Sequence, residues 1–455
     1  MKIRSTRMLI RGLVVAVMAL GGALANVRQA DAESLKDQAA TTKKYVEEFY
    51  PLWFTAIQSH TGSNRLAGPD QISYVYRLVV AINNDTLYAS TFLDLSSEPV
   101  ILTVPATQVR YSVLTLDPYG DIFTSGISTE NRGVYALMGP DYSGEYPHTA
   151  IPIRLPLDHM IIIFRADKYS SAGKNQENQA DRFRSSLLMQ PYSEWRKNHS
   201  GGATTIYPER DFSVSLKLAA DRLIEIQPLT FLKQLQTAVA SPIVPPLSAQ
   251  QQKLSDKFNR LFNASGRKGA AFADGARAGH KAILQNYLTH TDAHNWIDFT
   301  NIGKWTSAEA LDRSSITEFL QYGNDHDTAA YYHAFTDGQG KALDGSNPLG
   351  YVLQIPKGQI PQAQRFWSLT AYTPDTVELI RNGADKYEIA SYTPGLHYNA
   401  DGSLTLYMSA TRPQGVTQAN WLPVVSGPFN VMLRVYGPEG NVAAGTYVPP
   451  AIRKR

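Results

Sequence analysis

Residues 366–372 read FWSLTAY, residues 401–407 DGSLTLY, residues 420–423 NWLP and residues 429–438 FNVMLRVYGP. The stretch from Phe366 to Tyr436 decides the fold class. Successive side chains of a strand point to opposite faces. Phe429, Val431, Leu433 and Val435 therefore make one apolar face, suited to a core. Asn430, Met432, Arg434 and Tyr436 make the other, which is polar with an aromatic and faces water or a cleft. Leu404, Leu406 and Met408 oppose Thr405, Tyr407 and Ser409 in the same way. Asp401-Gly402 supplies a tight turn before that run, because glycine accepts positive φ. Tyr351–Ile355, Phe366–Tyr372 and Tyr387–Ser391 read as three more strands. Short strands separated by Gly, Pro, Asn and Asp predict a sandwich or jelly roll.

Working outward, a second β block precedes this one. Its predicted strands are Ser73–Ile82, Leu87–Asp94, Val100–Val104, Tyr111–Leu116 and Met160–Ala166. Met160–Phe164 is continuously apolar, which predicts burial on both faces. Ahead of the block, Ser34 to about Tyr50 reads as a helix, with Tyr45 and Phe49 on one face and Pro51 ending or kinking it. From Asp181 the period becomes helical. Leu229, Leu232, Leu235 and Val239 follow a 3.6-residue spacing, and Ser248 with Gln251 reads as a capping box. Ala270–Leu288 is Ala-rich and reads as a helix despite its glycines. Thr306 with Glu309 and Ser315 with Glu318 read as two further caps.

With those motifs in place the chain resembles a known family. FWSLTAY, DGSLTLY, NWLP and LRVYGP are similar to the C-terminal half of bacterial envelope proteins that combine two domains of unknown function, numbered 1254 and 1214. NNDTLYASTFLDL (Asn83–Leu95) and RYSVLTLD (Arg110–Asp117) are similar to the N-terminal half. The resemblance implies a fold and no reaction. It gives a mainly β, α+β multidomain chain of two β-sandwich or jelly-roll-like domains joined by a helical segment. The expected division is a signal peptide over 1–32, an N-terminal β-rich domain with a leading helix over 33–168, a mainly helical connection over 169–325 and a C-terminal β domain over 326–455.

The N-terminus reads as an export signal. Lys2, Arg4, Arg7 and Arg11 precede an apolar run from Leu13 to Leu24, and cleavage after Ala32 or Ala25 fits the small-residue rule. The run is too short for a comfortable span. A periplasmic or secreted protein is expected. The formal net charge is +3, with 43 Lys/Arg against 40 Asp/Glu. Residues 1–32 hold five of the basic residues and one of the acidic, so the remainder carries 38 against 39, a net −1. Nothing in that balance calls for nucleic acid or an anionic membrane as partner. The chain has no cysteine, which excludes thiol catalysis, Cys-ligated metal and a lipid anchor on Cys.

No GxSxG, HExxH, Walker or GxGxxG pattern is present. The leading local candidate is Asn83-Asn84-Asp85-Thr86-Leu87-Tyr88. Its side chains either bond nearby amides to set a turn before a strand, or hold Asp85 at a cleft edge as acid, base or polar anchor beside the Tyr88 phenol. Arg110 can clamp a carboxylate or phosphate, or pair with Asp85 or Asp117 as a structural bridge, with Tyr111 beside it. Trp367 and Tyr372 lie on opposite faces of their strand, so only one can face a ligand. Trp421 in NWLP can stack on a flat ligand or pack in a core. Arg434 and Tyr436 share a face and read as cleft lining. His290 and His294 have the spacing of a helical metal pair, with Asn324-Asp325-His326-Asp327 a second polar cluster, but the surrounding residues favour solvated loop, and no metal site is assigned. No cofactor is indicated. Two readings follow: an exported enzyme acting on a small polar molecule or glycan in a cleft between the β domains, with Asp85 and Tyr88 catalytic and Arg110, Tyr111, Trp421, Arg434 and Tyr436 binding; or a non-catalytic ligand- or carbohydrate-binding or envelope protein. A homo-oligomer is compatible with either.

Overall fold

The computed structural model describes residues 34–59, 63–211, 214–264 and 269–455. The expected export signal, with both cleavage positions, lies outside the described residues. Four sheets pair into two sandwiches. In the first, a six-stranded sheet runs Thr205–Tyr207, Ala67–Pro69, Thr86–Asp94, His159–Asp167, Tyr111–Leu116, Ile122–Phe123. It packs on a four-stranded sheet ordered Ile151–Arg154, Gly133–Met138, Val100–Val104, Leu188–Pro191. Leu87, Ala89, Leu102, Tyr135, Ile162 and Phe164 meet in the core between them. In the second, a five-stranded sheet runs Ile297–Asp298, Ala329–Ala334, Asn430–Pro438, Ala363–Tyr372, Glu388–Ala390. Its partner is ordered Trp421–Pro423, Leu404–Ser409, Tyr351–Ile355, Arg453–Lys454.

The alternation read in Phe429–Tyr436 now has two cores to explain it. Phe429, Val431, Leu433 and Val435 fill the second sandwich with Leu404, Leu406 and Met408. Met432 and Tyr436 face the other way, into a large central core that also takes Tyr331, Phe366 and Tyr372. Met160–Phe164 is likewise buried on both faces: Met160, Ile162 and Phe164 turn into the first sandwich, Ile161 and Ile163 away from it. The outer faces of the two larger sheets thus turn toward each other beside a helical layer, and that meeting positions the site.

The first helix, residues 34–58, runs through Pro51 rather than ending there. Proline removes the N–H that would bond the Glu47 carbonyl, and Ser314 Oγ donates to that carbonyl instead at 2.8 Å. This helix packs on Ala270–Thr289, where Gly275 and Gly279 admit its backbone. A Cβ at Gly275 would lie 2.5 Å from the Ala39 carbonyl oxygen, and one at Gly279 2.8 Å from that of Lys43. The predicted box at Ser248 and Gln251 closes with reciprocal bonds of 3.0 and 3.3 Å. Thr306 and Glu309 bond ahead of the helix Ala310–Phe319.

Three further expectations change. Ser73–Ile82 is irregular rather than a strand; Tyr76, Val80 and Ile82 are buried in the central core with Tyr74, Leu78 and Val79 partly buried against it, and Ala81 takes a φ of +55° that no strand tolerates. The N-terminal β region does not stop at 168, because Leu188–Pro191 pairs with Val100–Val104 and Thr205–Tyr207 with Ala67–Pro69. Ser315 and Glu318 cap nothing; both lie inside a helix, buried.

Candidate functional site

A cavity of about 630 Å³ opens between the two larger sheets. The first sandwich contributes Tyr88, Ser90, Phe92, Ile161, Ile163 and Arg165 from its outer face. The second contributes Tyr331, Arg434 and Tyr436. Gln58 of the first helix, the irregular segment 76–83 and the turn 320–324 close the sides. The lining includes Arg65, Arg165, Arg210 and Arg434 but no aspartate or glutamate.

Its inner end is a ring of bonded polar side chains. Arg165 donates to Asn324 Oδ1 at 2.6 Å and to the Tyr322 carbonyl at 2.8 Å, and its guanidinium sits 5.5 Å from the Tyr88 ring centre. Tyr88 donates to Asn83 Oδ1 at 2.8 Å, and Asn83 donates to the Tyr436 hydroxyl. Arg434 donates to the Ala81 carbonyl at 2.5 Å and lies directly across the strand pair from Tyr331. Arginine can only donate, so its bond fixes Asn324 with Nδ2 toward Tyr331. The Tyr331 hydroxyl then accepts from both Asn324 Nδ2, at 3.0 Å, and Asn324 N, at 2.9 Å. Its own proton, like that of Tyr436, remains to be donated. Burial pushes both phenols up, which keeps them as O–H donors. Ala81, in the left-handed region, turns its carbonyl to Arg434; a strained backbone of this kind is held only where surrounding contacts enforce it.

Arg165 and Arg434 are 6% and 2% exposed. Each donates to neutral oxygens, and neither forms an ion pair with a carboxylate among the described residues. Elsewhere the buried cations are compensated. Arg365 pairs with Asp167 across the two sandwiches, and Arg313 pairs with Glu48 at 3.0 Å.

Of the residues singled out from the sequence, Tyr88, Arg434 and Tyr436 come together on this cavity. Asp85 lies behind it, 1% exposed. Its carboxylate accepts from Ser368 Oγ at 2.8 Å and from the Tyr392 hydroxyl, both in the second sandwich. Burial pushes its carboxyl up against those two bonds. The Asn83–Tyr88 motif therefore fastens one sandwich to the other rather than setting a local turn. Asn84 bonds within its own half, accepting from Lys168 Nζ at 2.7 Å. Arg110 and Tyr111 are not in the cavity. Arg110 is exposed and donates to the Gln364 carbonyl at 3.0 Å; Tyr111 points into the first sandwich, against Phe183. Trp421 lies on the edge strand of the far four-stranded sheet, bonded to Ser409 at 3.1 Å. Tyr372, not Trp367, faces the central core. His290 bonds Asp312 and His294 the Pro449 carbonyl, so the two do not converge.

Arg165 and Tyr331 were not read from the sequence, and Asn83 and Asn324 were named only within local clusters, without a role. A signal existed for Arg165: in Ile161-Ile162-Ile163-Phe164-Arg165 it shares a face with two isoleucines, a charge at the end of an otherwise apolar row. The other unselected cluster is Asp221, His280 and Glu318, whose ligand atoms all lie within 4.8 Å of one another. A metal ion uses such spacing, but Lys217 Nζ already donates to Asp221 Oδ2 at 2.9 Å and to Glu318. The Tyr50 hydroxyl also donates to Glu318. The donor set serves an internal ion network. Burial opposes charge at His280, but its bonds to Asp221 and Glu318 raise it to about 9.

Fold and cavity together define a protein of two β-sandwiches with a cluster of bonded polar side chains at their junction. Residues 62–191 match the model of a protein of unknown function, DUF1254, and residues 328–440 that of another, DUF1214. The chain belongs to the family that combines these two domains, one in each sandwich. No curated protein matches it. Among solved structures, the VPA0106 protein from Vibrio parahaemolyticus is similar, with a TM-score of 0.56 and 22% identity over 92% of this chain and 98% of that one. An uncharacterized protein from Burkholderia cenocepacia gives a TM-score of 0.40 at 16% identity, over 95% and 97%. The first likeness concerns the fold.

Proposed function

We propose that the protein is exported and binds a small anionic organic molecule in the cavity between its sandwiches. The observation that carries this is the pair of buried arginines, Arg165 and Arg434, which line a cavity with no aspartate or glutamate among its described residues and form no ion pair there. A buried cation is stable when an anion or a full set of hydrogen bonds compensates it. Here neutral oxygens do so in part, and the Tyr331 and Tyr436 hydroxyls add donors beside them. A carboxylate or phosphate would accept from all four. The volume lies in the range of small-molecule sites. Binding is favoured over the enzymatic reading because Asp85, the acid or base that reading needs, is engaged by Ser368 and Tyr392 behind the wall. Export rests on the basic and apolar run at the N-terminus; amino-terminal sequencing of the protein from cell fractions tests it.

The cavity reading is tested by thermal unfolding of the purified full chain with three compounds of one shape: benzoate, benzyl alcohol and benzylamine. Benzoate alone raises the midpoint, and Arg165→Gln removes the rise. Equal stabilisation by the alcohol or the amine would sink the anion reading.

A further inference from the structure

The cavity wall has a direction. Its two long strands, Thr86–Asp94 and His159–Asp167, pair antiparallel, with Tyr88 opposite Arg165, Ser90 opposite Ile163 and Phe92 opposite Ile161. All six side chains line the cavity. Walking along the sheet from the polar ring, the cross-strand pairs therefore change from phenol and guanidinium, through hydroxyl and isoleucine, to phenylalanine and isoleucine. Four residues of antiparallel strand span roughly 13 Å. The apolar end of the row is continuous with a buried cluster: Ile161 and Ile163 join Leu114 and Leu116, and Phe92, Tyr88 and Tyr322 pack against them.

Resting on the anion reading above, we infer that the ligand is an amphipathic monocarboxylate, its carboxylate on Arg165, Arg434 and the two tyrosine hydroxyls and its apolar body along Ile163, Phe92 and Ile161. A polyhydroxylated acid would lay its hydroxyls against those three side chains, which offer no hydrogen-bond partner. An inorganic anion would leave the apolar length of the cavity unused. Arg65, the cation near the apolar end, is paired with Glu194 and does not call for a second anionic group.

The test is calorimetric titration of the full chain with unbranched alkanoates from butanoate to decanoate, with gluconate and inorganic phosphate alongside. Each added methylene strengthens binding roughly three- to fourfold until the apolar length is filled. Hexanoate binds more tightly than gluconate. Phe92→Ser, or Ile161→Thr should the first not fold, weakens decanoate more than tenfold and leaves butanoate unchanged, whereas Arg165→Gln weakens both. Affinity independent of chain length, or preference for gluconate or phosphate, overturns this inference and leaves the anion reading standing. A folded protein that binds none of these anions overturns both.

Discussion

The molecule buries two clusters of charge, and they are built on opposite rules. In the helical layer, Lys217 and His280 face Asp221 and Glu318 within one ion network. At the junction of the sandwiches, Arg165 and Arg434 face tyrosines, asparagines and carbonyls. The first cluster is neutral by itself and, with Tyr50, joins four helices. In the second neither arginine is ion-paired among the described residues, Asp85 acting on Arg434 only from behind the wall, and the cluster borders open volume. Buried charge that is already balanced serves the fold; on the proposal above, buried charge without an ion pair beside a cavity is arranged for something that enters.

The sharpest way to break this contrast is to unbalance the first cluster. Glu318→Ala leaves Lys217 and His280 with Asp221 alone, and Glu318 is fully buried. Removing one partner of a buried pair costs roughly 3–5 kcal/mol, read as a fall in unfolding free energy in urea. A loss below about 1 kcal/mol would mean the cluster does not hold the helices. Asp85→Asn comes next. It weakens two bonds between the sandwiches and should cost about 1–3 kcal/mol. It should leave the benzoate response in place, because Asp85 lies outside the cavity lining.

The pH dependence separates the clusters again. The folded-state value of His280, about 9, lies above the ordinary value of roughly 6.5. Its contribution is therefore fully present below about pH 6.5 and is lost as the pH rises through about 9. The stability gap between the native chain and His280→Asn should narrow by on the order of 3 kcal/mol across that window. A gap that widens would show that the histidine is neutral in the fold. Arg165→Gln, by contrast, should change stability without ligand by less than about 1 kcal/mol, since it removes two hydrogen bonds and also an uncompensated charge.

Much of the fold was legible because alternation is local. Phe429–Tyr436 sorted itself into two faces by reading every second residue, and the apolar row at Met160–Phe164 announced two cores. The short strands Leu188–Pro191 and Thr205–Tyr207 were not legible, since three or four residues are too few to show a period. The cavity was legible in part. Arg434 and Tyr436 could be placed on an outward face, but alternation says nothing about what stands opposite. Arg165 and Tyr331 belong to no motif read in the sequence, and Asn83 and Asn324 lie in two separate polar clusters that nothing in the sequence joins. The ion network of Lys217, Asp221, His280 and Glu318 was hidden for the same reason.

The smallest effect belongs to the residue that looked most like an anion clamp in the sequence. Arg110 precedes the strand Tyr111–Leu116, and the reading that paired it with a ligand rested on its fork of donors. In the fold it is exposed, donating one bond to the Gln364 carbonyl at the seam between the sandwiches. Water satisfies an exposed guanidinium, so it has no need of an anion, whereas Arg165 is screened from water by Tyr88 and the turn 320–324. Arg110→Ala should therefore shift stability by no more than about 0.5 kcal/mol and leave the benzoate response intact. If Arg110→Ala abolished that response while Arg165→Gln did not, burial without a counter-charge would be the wrong criterion for finding the site, and the contrast between the two clusters would lose its functional meaning.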